Sequence, residues 1–336
     1  MSANTDLTAP QKMLRAVYTD MDDIEFSAGT QLLQNAGFTV DYLQTQDSDR
    51  IVAQAHDATA LLVGYAQVTA GMMDKMPSLR IIALLSMGFN NIDLDAARER
   101  RIWVTNIPGA ATEEVAAHAL ALTLALTRGL PFYGASVRAG TWNVRDTVIP
   151  PRLSQTSLGI LGLGRIGTRF AEMAAPVFGE VIGYDPVLPD TQATRDRLRA
   201  VGIRRTTLEE VRDNATVLSL HMPLTHETED MINADFLAKM NRGSYLVNVS
   251  RGALVNSAAV RLAVDSGHLA GAGLDVLDVE PPTDEHPLLG HPRILVTPHM
   301  AYLSDFTETE YVRQQAQNVA SWLASGQPES PVVELN

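Results

Sequence analysis

The sequence predicts an α/β protein built from two Rossmann-like domains, each a doubly wound parallel sheet with helices on both faces. Two observations lead to this prediction. Short apolar, β-branched runs alternate with helical patterns along the 336 residues, and such alternation favours parallel sheets covered by helices. The runs also fall into two series, separated by a long helical pattern at residues 112–128. Each series is therefore expected to build one sheet.

The first series occupies the N-terminal third of the chain. Its predicted strands are residues 15–18, 38–43, 60–63, 80–84 and 102–105. Helical patterns lie between them at residues 28–36 and 93–100. The helix at 112–128 opens with Thr112 and carries two glutamates in its first turn, which favours a helix N-terminus at this point. We interpret it as the bridge between the domains.

The second series follows a loop predicted at residues 138–152. Its strands are predicted at residues 157–161, 180–184, 217–220, 244–248, 271–276 and 294–297. Its helical patterns are residues 165–177, 233–239, 257–266 and 307–324. The helix at 307–324 follows no strand of its own and is expected to return to the first domain. The predicted domains are therefore residues 1–108 with 302–336, and residues 109–301.

Composition excludes several classes of function. The chain has no cysteine, which excludes disulfides, thiolate metal sites and a cysteine nucleophile, and no metal site is expected. A net charge of -13 and a pI near 5.0 argue against nucleic-acid binding. The apolar stretch at 115–126 is too short and mixed to span a membrane. Residues 1–10 lack the pattern of a signal peptide and suggest a frayed tail. We expect a cytoplasmic protein that binds neither membranes nor nucleic acid.

The strongest motif is a glycine-rich turn between a strand and a helix, at residues 158–167. Gly162 permits a tight turn, Gly164 lets the backbone approach a pyrophosphate, and Gly167 allows close helix packing. Asp185 ends the next strand, 18 residues after Gly167, where a carboxylate accepts hydrogen bonds from a ribose 2′-hydroxyl. This pattern predicts NAD(H) binding in the second domain, and the carboxylate disfavours NADP.

Three later motifs place polar residues at the ends of predicted strands, the edge where open α/β sheets bind ligands. Arg251 follows an apolar strand and can clamp a carboxylate, although a surface salt bridge explains it equally well. Asp275 and Glu280 end the next strand and could orient an imidazole or a nicotinamide amide, or be solvated acids. His299 follows the last strand, where it could exchange a proton or be structural. His221 also ends a strand and could line the cofactor cleft.

An anion clamp, a carboxylate, an imidazole and an NAD site are together what reduction of a 2-keto acid requires. The clamp would hold the substrate carboxylate and polarise the keto group. The imidazolium would donate a proton to the carbonyl oxygen as hydride arrives, and the carboxylate would orient the imidazole. The hydride chemistry itself belongs to the cofactor.

With these motifs in the same order and spacing, the chain resembles the D-isomer-specific 2-hydroxyacid dehydrogenases over residues 61–328. Residues 86–93, 106–109 and 112–116 match further family motifs. The resemblance implies a flavodoxin-like substrate domain beside the NAD-binding domain, a homodimer formed through the cofactor domains, and Arg251, Glu280 and His299 as the catalytic set. The cofactor contacts that it implies or the glycine motif predicts are Gly162, Gly164, Arg165, Ile166, Gly167, Asp185, His221, Met222, Pro223, Thr228, Val249, Ser250 and Asp275.

The resemblance also implies where a small 2-keto or 2-hydroxy acid would bind. Its carboxylate should meet Arg251 and backbone amides near residues 66–67 and 87–88. The implied substrate contacts are Tyr65, Ala66, Gln67, Met87, Gly88 and Tyr302. No Lys or Arg occurs at residues 64–68 or 86–91, which disfavours a phosphorylated substrate.

Within the family the chain looks most like the C-terminal-binding-protein-like branch, but four positions depart from the family pattern. Tyr302 stands where that branch usually has tryptophan, Arg101 where the family often has glycine, and Asn90 and Asn256 where it often has aspartate. Asn256 can still cap the following helix, whereas the sequence offers no reason for Arg101. Two alternatives stay open: an NAD-sensing, co-repressor-like binding protein, and a phosphite-type oxidoreductase on the same scaffold.

Overall fold

The computed structural model describes residues 14–20, 24–145 and 149–335, and the tail predicted at residues 1–10 lies outside them. The chain forms two compact units, Met1–Ala110 with Ser304–Asn336 (unit 1) and Ala111–Leu303 (unit 2). The domain boundaries predicted from the sequence, after residues 108 and 301, each fall two residues before the boundaries of these units.

Strands and helices alternate throughout the described residues. The strands are β1 Leu14–Tyr18, β2 Phe38–Tyr42, β3 Ala60–Val63, β4 Ile81–Leu84, β5 Trp103–Thr105, β6 Ser157–Leu161, β7 Glu180–Tyr184, β8 Ile203–Arg205, β9 Val217–Leu220, β10 Ser244–Asn248, β11 Leu269–Leu274 and β12 Ile294–Val296. The helices are α1 Ser27–Asn35, α2 Ser48–Ala55, α3 Ala70–Asp74, α4 Leu94–Glu99, α5 Thr112–Thr127, α6 Leu130–Arg138, α7 Arg165–Ala174, α8 Gln192–Ala200, α9 Leu208–Asn214, α10 Ala234–Lys239, α11 Ser257–Asp265 and α12 Thr307–Ser325.

Unit 1 is a five-stranded parallel sheet in the order β2-β1-β3-β4-β5. This is the flavodoxin-like order, as predicted. Helix α12 packs against α1 and against β3 and β4, where Ala316 and Val319 join the apolar cluster around Tyr18 and Leu33. The side-chain amide of the buried Gln315 donates to the Ala83 carbonyl at 2.8 Å. The C-terminal helix therefore completes the core of unit 1.

Unit 2 is a seven-stranded parallel sheet in the order β12-β11-β10-β9-β6-β7-β8. The chain starts at β6 and winds outward in both directions, so the strand order reverses between β6 and β9, the crevice where doubly wound sheets bind ligands. Helix α5 buries Val115, Leu122 and Leu126 and packs on β10 and β11. Both sheets confirm the predicted α/β class.

Helices α2, α3, α6, α8 and α9 were not among the helical patterns predicted from the sequence, and the remaining differences lie at the ends and edges of elements. Strand β8 was not predicted, because it has three residues at the sheet edge and only Ile203 is buried. Strand β11 ends two residues before the predicted end, since Asp275 already belongs to a turn. Helix α5 begins at Thr112 as predicted, with Ala111 as its N-cap, and ends at Thr127, one residue before the predicted end. Asn256 does cap α11, by accepting a hydrogen bond from the Ala259 amide at 2.9 Å.

Among the described residues, no single helix is long and apolar enough to cross a membrane. Helices α5 and α6 pass that test only when they are joined across a 61° bend, by length and composition alone.

Candidate active site

The glycine-rich turn joins β6 to α7 and leaves open space only at its middle glycine. Gly162 has φ +93°, and a Cβ there would lie 2.4 Å from the His221 carbonyl oxygen. A Cβ on Gly167 would lie 2.0 Å from the Gly162 carbonyl oxygen. Around Gly164, by contrast, a Cβ would meet nothing within 4 Å. Two glycines are therefore required by the fold, whereas the third faces space that a ligand can use.

Helix α7 begins directly after Gly164, and no side chain caps it. Its first amides, those of Arg165 and Ile166, lie at the positive end of the helix dipole, which favours a phosphate. The open space at Gly164 and the uncapped helix end together fit a dinucleotide pyrophosphate.

Asp185 follows β7 and fixes the turn from the other side. Its Oδ2 accepts from the Leu163 amide at 2.8 Å, and its Oδ1 accepts from the amides of Val187 and Leu188 at 2.9 and 3.3 Å. A carboxylate offers about four acceptor positions, so about one remains for a ribose hydroxyl. The geometry fits the predicted ribose contact.

His221 follows β9 and packs on Phe170 of α7, with ring centroids 5.0 Å apart. Its Nε2 lies 2.8 Å from the Ser219 hydroxyl, and its buried Nδ1 has no partner among the described residues. Burial lowers the pKa of His221 from 6.5 to about 3, so the ring is neutral. The next loop is fixed by Thr228, whose hydroxyl donates to the Pro223 carbonyl at 2.8 Å. His221 therefore supports the glycine turn and is not a proton carrier at neutral pH.

The turn after β10 sets the backbone of Arg251. The buried Asn248 accepts from the Ser250 amide at 3.0 Å and donates to the Arg251 carbonyl at 2.8 Å. The Ser250 hydroxyl donates to the Leu220 carbonyl at 2.8 Å, which ties the turn to β9. Burial lowers the pKa of Arg251, and the nearby charge of Glu280 opposes this effect. Asn248 was not predicted; its only signal in the sequence is an asparagine at the end of an apolar strand.

Glu280 contacts His299 directly. Its Oε2 lies 2.7 Å from His299 Nδ1, and its Oε1 accepts from the Leu277 amide at 2.7 Å. Burial acts to raise the pKa of Glu280, but these hydrogen bonds and the charges of His299 and Arg251 lower it overall. An ionised carboxylate only accepts, so His299 donates from Nδ1, and its Nε2 is the atom that can exchange a proton.

His299 sits in a tight turn that Asp275 holds. Its φ is +51°, a strained region for a histidine, and its amide donates to the Asp275 carbonyl at 2.8 Å. The Asp275 carboxylate, 1% exposed, accepts from the Thr297 hydroxyl and from the amides of Met300 and Ala301, at 2.6, 3.0 and 2.9 Å. Of the two acids predicted as candidates, Glu280 therefore contacts the imidazole, while Asp275 braces its backbone.

Arg251, Glu280 and His299 thus follow β10, β11 and β12, at the same sheet edge as the glycine turn after β6. Val249 and Met222 lie in the turns that follow β10 and β9, and the partly exposed Tyr302 follows the His299 turn. The structure places all predicted catalytic and cofactor residues within unit 2.

The predicted substrate residues of unit 1 lie on the loops that follow β3 and β4. Asp20 accepts from the amides of Gly64, Tyr65 and Ala66 at 2.9, 2.5 and 3.1 Å. This corrects one detail of the prediction, because Ala66 is fully buried and its amide is already engaged. On this loop the amide of the exposed Gln67 is the better candidate for an anion.

The second loop of unit 1 is also held by side chains. The Asn106 side-chain amide donates to the Met87 carbonyl at 2.7 Å, and the Ser86 hydroxyl donates to the Gly88 carbonyl at 2.6 Å. Both carbonyls are therefore turned toward protein partners. Asp20 was not predicted from the sequence, and Asn106, although it opens the family motif at residues 106–109, was given no role there.

The chain matches a known protein family over most of unit 2 and resembles named proteins over most of its length. Residues 120–301 match the family described as D-isomer specific 2-hydroxyacid dehydrogenase, NAD binding domain. The chain is 35% identical over 283 residues to the D-3-phosphoglycerate dehydrogenase of Bacillus subtilis, covering 84% of this chain and 52% of that protein. It is 34% identical over 276 residues to the glyoxylate reductase of Korarchaeum cryptofilum, covering 81% and 82%. The chain thus spans about half the length of several phosphoglycerate dehydrogenases that it matches.

Solved structures show the same fold. The D-lactate dehydrogenase from Aquifex aeolicus, complexed with NAD and lactic acid, superposes with a TM-score of 0.85 at 28% identity, covering 96% of this chain and 100% of that one. A glyoxylate reductase from Paecilomyes thermophila also gives 0.85, at 26% identity, covering 96% of this chain and 99% of that one.

Proposed function

Because the chain belongs to the D-isomer-specific 2-hydroxyacid dehydrogenase family and contains its NAD-binding domain, we propose that it interconverts small 2-keto acids and D-2-hydroxy acids with NAD(H). The observation that carries this proposal is the His299–Glu280 pair, with 2.7 Å between Nδ1 and Oε2, at the sheet edge that also bears the glycine turn. The narrower likeness to the C-terminal-binding-protein branch and the cytoplasmic location stay predictions.

Each of the three catalytic side chains has a distinct proposed role. The bound cofactor supplies the hydride. Arg251 binds the substrate carboxylate and polarises the keto oxygen, and its burial strengthens that interaction. In the reductive direction His299 donates the Nε2 proton to the carbonyl oxygen, and in the oxidative direction Nε2 accepts the hydroxyl proton. Glu280 stabilises the imidazolium and fixes the ring, since it accepts from Nδ1.

The substrate is proposed to be an unphosphorylated 2-keto acid. No Lys or Arg lies at residues 64–68 or 86–91, so these loops offer no side-chain cation for a phosphate. The substrate contacts predicted for Tyr65, Gln67, Met87, Gly88 and Tyr302 stay predictions.

The test is NADH oxidation with glyoxylate, hydroxypyruvate, pyruvate, phenylpyruvate, a branched 2-keto acid and a phosphorylated one. We expect turnover with at least one unphosphorylated acid. His299→Ala should lose most turnover, by about 100-fold or more, and still bind NADH. Unchanged turnover in this variant would remove His299 from acid–base chemistry. If NADH binds but is not oxidised with any of these acids, the proposal is overturned and an NAD-sensing binding role is favoured.

We also propose a homodimer that forms through unit 2. Large apolar side chains are exposed along α6 and the segment that follows, among them Leu130 at 60%, Trp142 at 88% and Ile149 at 79%. Such a concentration is unusual on a surface that faces only water. Light scattering after size-exclusion chromatography should give twice the chain mass of 36.4 kDa; a monomer at micromolar concentration would contradict this.

A further inference from the structure

His118 lies outside the proposed catalytic set but contacts the network behind His299. It projects from the middle of α5, and its side chain is 18% exposed. Its Nε2 lies 3.0 Å from the Thr297 hydroxyl and 3.5 Å from Asp275 Oδ1. Helix α5 packs on β10 and β11, so the backbone of His118 is held in place against the sheet.

The direction of these hydrogen bonds follows from their donors. The Thr297 hydroxyl has one proton, and it donates that proton to the Asp275 carboxylate at 2.6 Å. Its oxygen must then accept from His118, so the His118 ring carries its proton on Nε2. A chain of donors therefore runs from His118 through Thr297 to Asp275.

The chain ends at the turn that carries the proposed proton donor. Asp275 accepts from the amides of Met300 and Ala301 with its side chain, and from the His299 amide with its carbonyl. Because His299 holds φ +51°, its turn persists only if the surroundings over-determine it. Removing one donor from this network leaves buried acceptors less satisfied and loosens the turn.

We propose that His118 is a positioning residue for His299, acting through Thr297 and Asp275 to hold the turn that aims the imidazole. The inference rests on the proposed acid–base role of His299. His118 itself touches neither substrate nor the reacting atoms in this assignment. Its contribution is the Nε2 donor, not the charge or volume of its ring.

The test compares His118→Gln, whose amide nitrogen can replace the Nε2 donor, with His118→Leu, which cannot donate. We expect the Leu variant to lose about tenfold in kcat, with the NADH Kd unchanged, and the Gln variant to keep most of the activity. Thr297→Ser and Thr297→Val form a second matched pair, with the same outcome expected. The double variant His118→Leu/Thr297→Val should be no slower than Thr297→Val alone, because one chain is broken in both.

A second readout does not depend on turnover. The ring Cε1–Hε1 resonance of His299, assigned by its loss in His299→Ala, should shift in His118→Leu and stay near its wild-type position in His118→Gln. Equal effects of Gln and Leu on kcat and on this resonance, or no effect of either, would overturn the proposal. If the wild type is inactive but the His299 resonance still shifts in His118→Leu and not in His118→Gln, only the acid–base role of His299 is overturned. The positioning of its turn by His118 would then stand.

Discussion

Arg101 and His299 hold the same left-handed backbone for different reasons. Arg101 has φ +54° and follows Arg100, the C-cap of α4. Its amide donates to the Arg98 carbonyl at 3.1 Å, and the Ile102 amide donates to the Ala97 carbonyl at 2.9 Å. These two bonds form the helix-ending motif that normally uses glycine, which explains the family preference at this position. At His299 the strain holds a reactive ring, whereas at Arg101 it serves only to end a helix.

Arg101→Gly should therefore stabilise the protein. Relief of the left-handed strain is worth about 1–2 kcal/mol, offset in part by the greater unfolded-state freedom of glycine, so we expect a net gain of about 0.5–1 kcal/mol. Urea unfolding measures it. Arg101→Ala is the control, because alanine keeps the strain and removes only the side chain. A gain shared by both variants would assign the effect to the arginine side chain.

Sequence patterns predict functional residues that follow apolar runs. They do not predict residues whose side chains hydrogen-bond several backbone groups from different parts of the chain. Gly162, Arg251 and His299 stand at strand ends, so their positions follow from the alternation of elements. Asn248 and Asp20 matter because several backbone groups meet at one side chain, and that convergence exists only after the strands have paired.

At the scale of elements, different glycines of the β6–α7 turn serve close packing and ligand binding. A Cβ on either outer glycine would collide with neighbouring backbone, whereas the space around Gly164 is open. The strand–turn–helix unit and a separate purpose for each of its three glycines were predicted from the sequence. The contact partner of Gly162 was not, because the backbone of His221 reaches it only from the neighbouring turn after β9.

Gly164→Ala should consequently lose affinity for NADH, and Gly167→Ala should lose stability. Gly164→Ala should keep its melting temperature within about 2 °C, because its Cβ meets nothing, but bind NADH about tenfold or more weakly, because the methyl group occupies space intended for the pyrophosphate. Gly167→Ala should lose about 2 kcal/mol or more of stability, because its Cβ would lie 2.0 Å from a carbonyl oxygen. Normal NADH affinity in a folded Gly164→Ala variant would place the pyrophosphate elsewhere.

At the scale of the whole molecule, the free energy of unfolding should depend on pH, because several groups have a different pKa in the folded and unfolded states. The protein carries a net charge of -13, and several of its carboxylates, including Glu280 and Asp278, have lowered pKa values. For these acids stability is present above their ordinary pKa and is lost as the pH falls through the folded-state value. His221 acts at higher pH, since it is neutral in the fold down to about pH 3 but takes up a proton near pH 6.5 when unfolded.

Stability should accordingly begin to fall below about pH 6.5, before the acids titrate. The unfolded chain binds the His221 proton in this range and the native state does not, so this group contributes a slope of up to about 1.4 kcal/mol per pH unit. Denaturant unfolding at pH 7 and pH 5 measures the difference. His221→Gln, which can still contact Ser219, should reduce it. An equal loss in wild type and variant would show that His221 is protonated in the native state.

The course of the chain has a consequence for the order of events during synthesis. Unit 2 is encoded as one uninterrupted stretch between two segments of unit 1. A ribosome therefore delivers all of unit 2 before it makes α12, the helix that covers α1 and the centre of the first sheet. Unit 1 thus completes its core only after unit 2 has been made, and the apolar surface of its sheet and of α1 that α12 covers must wait exposed while nearly two hundred residues are added and fold.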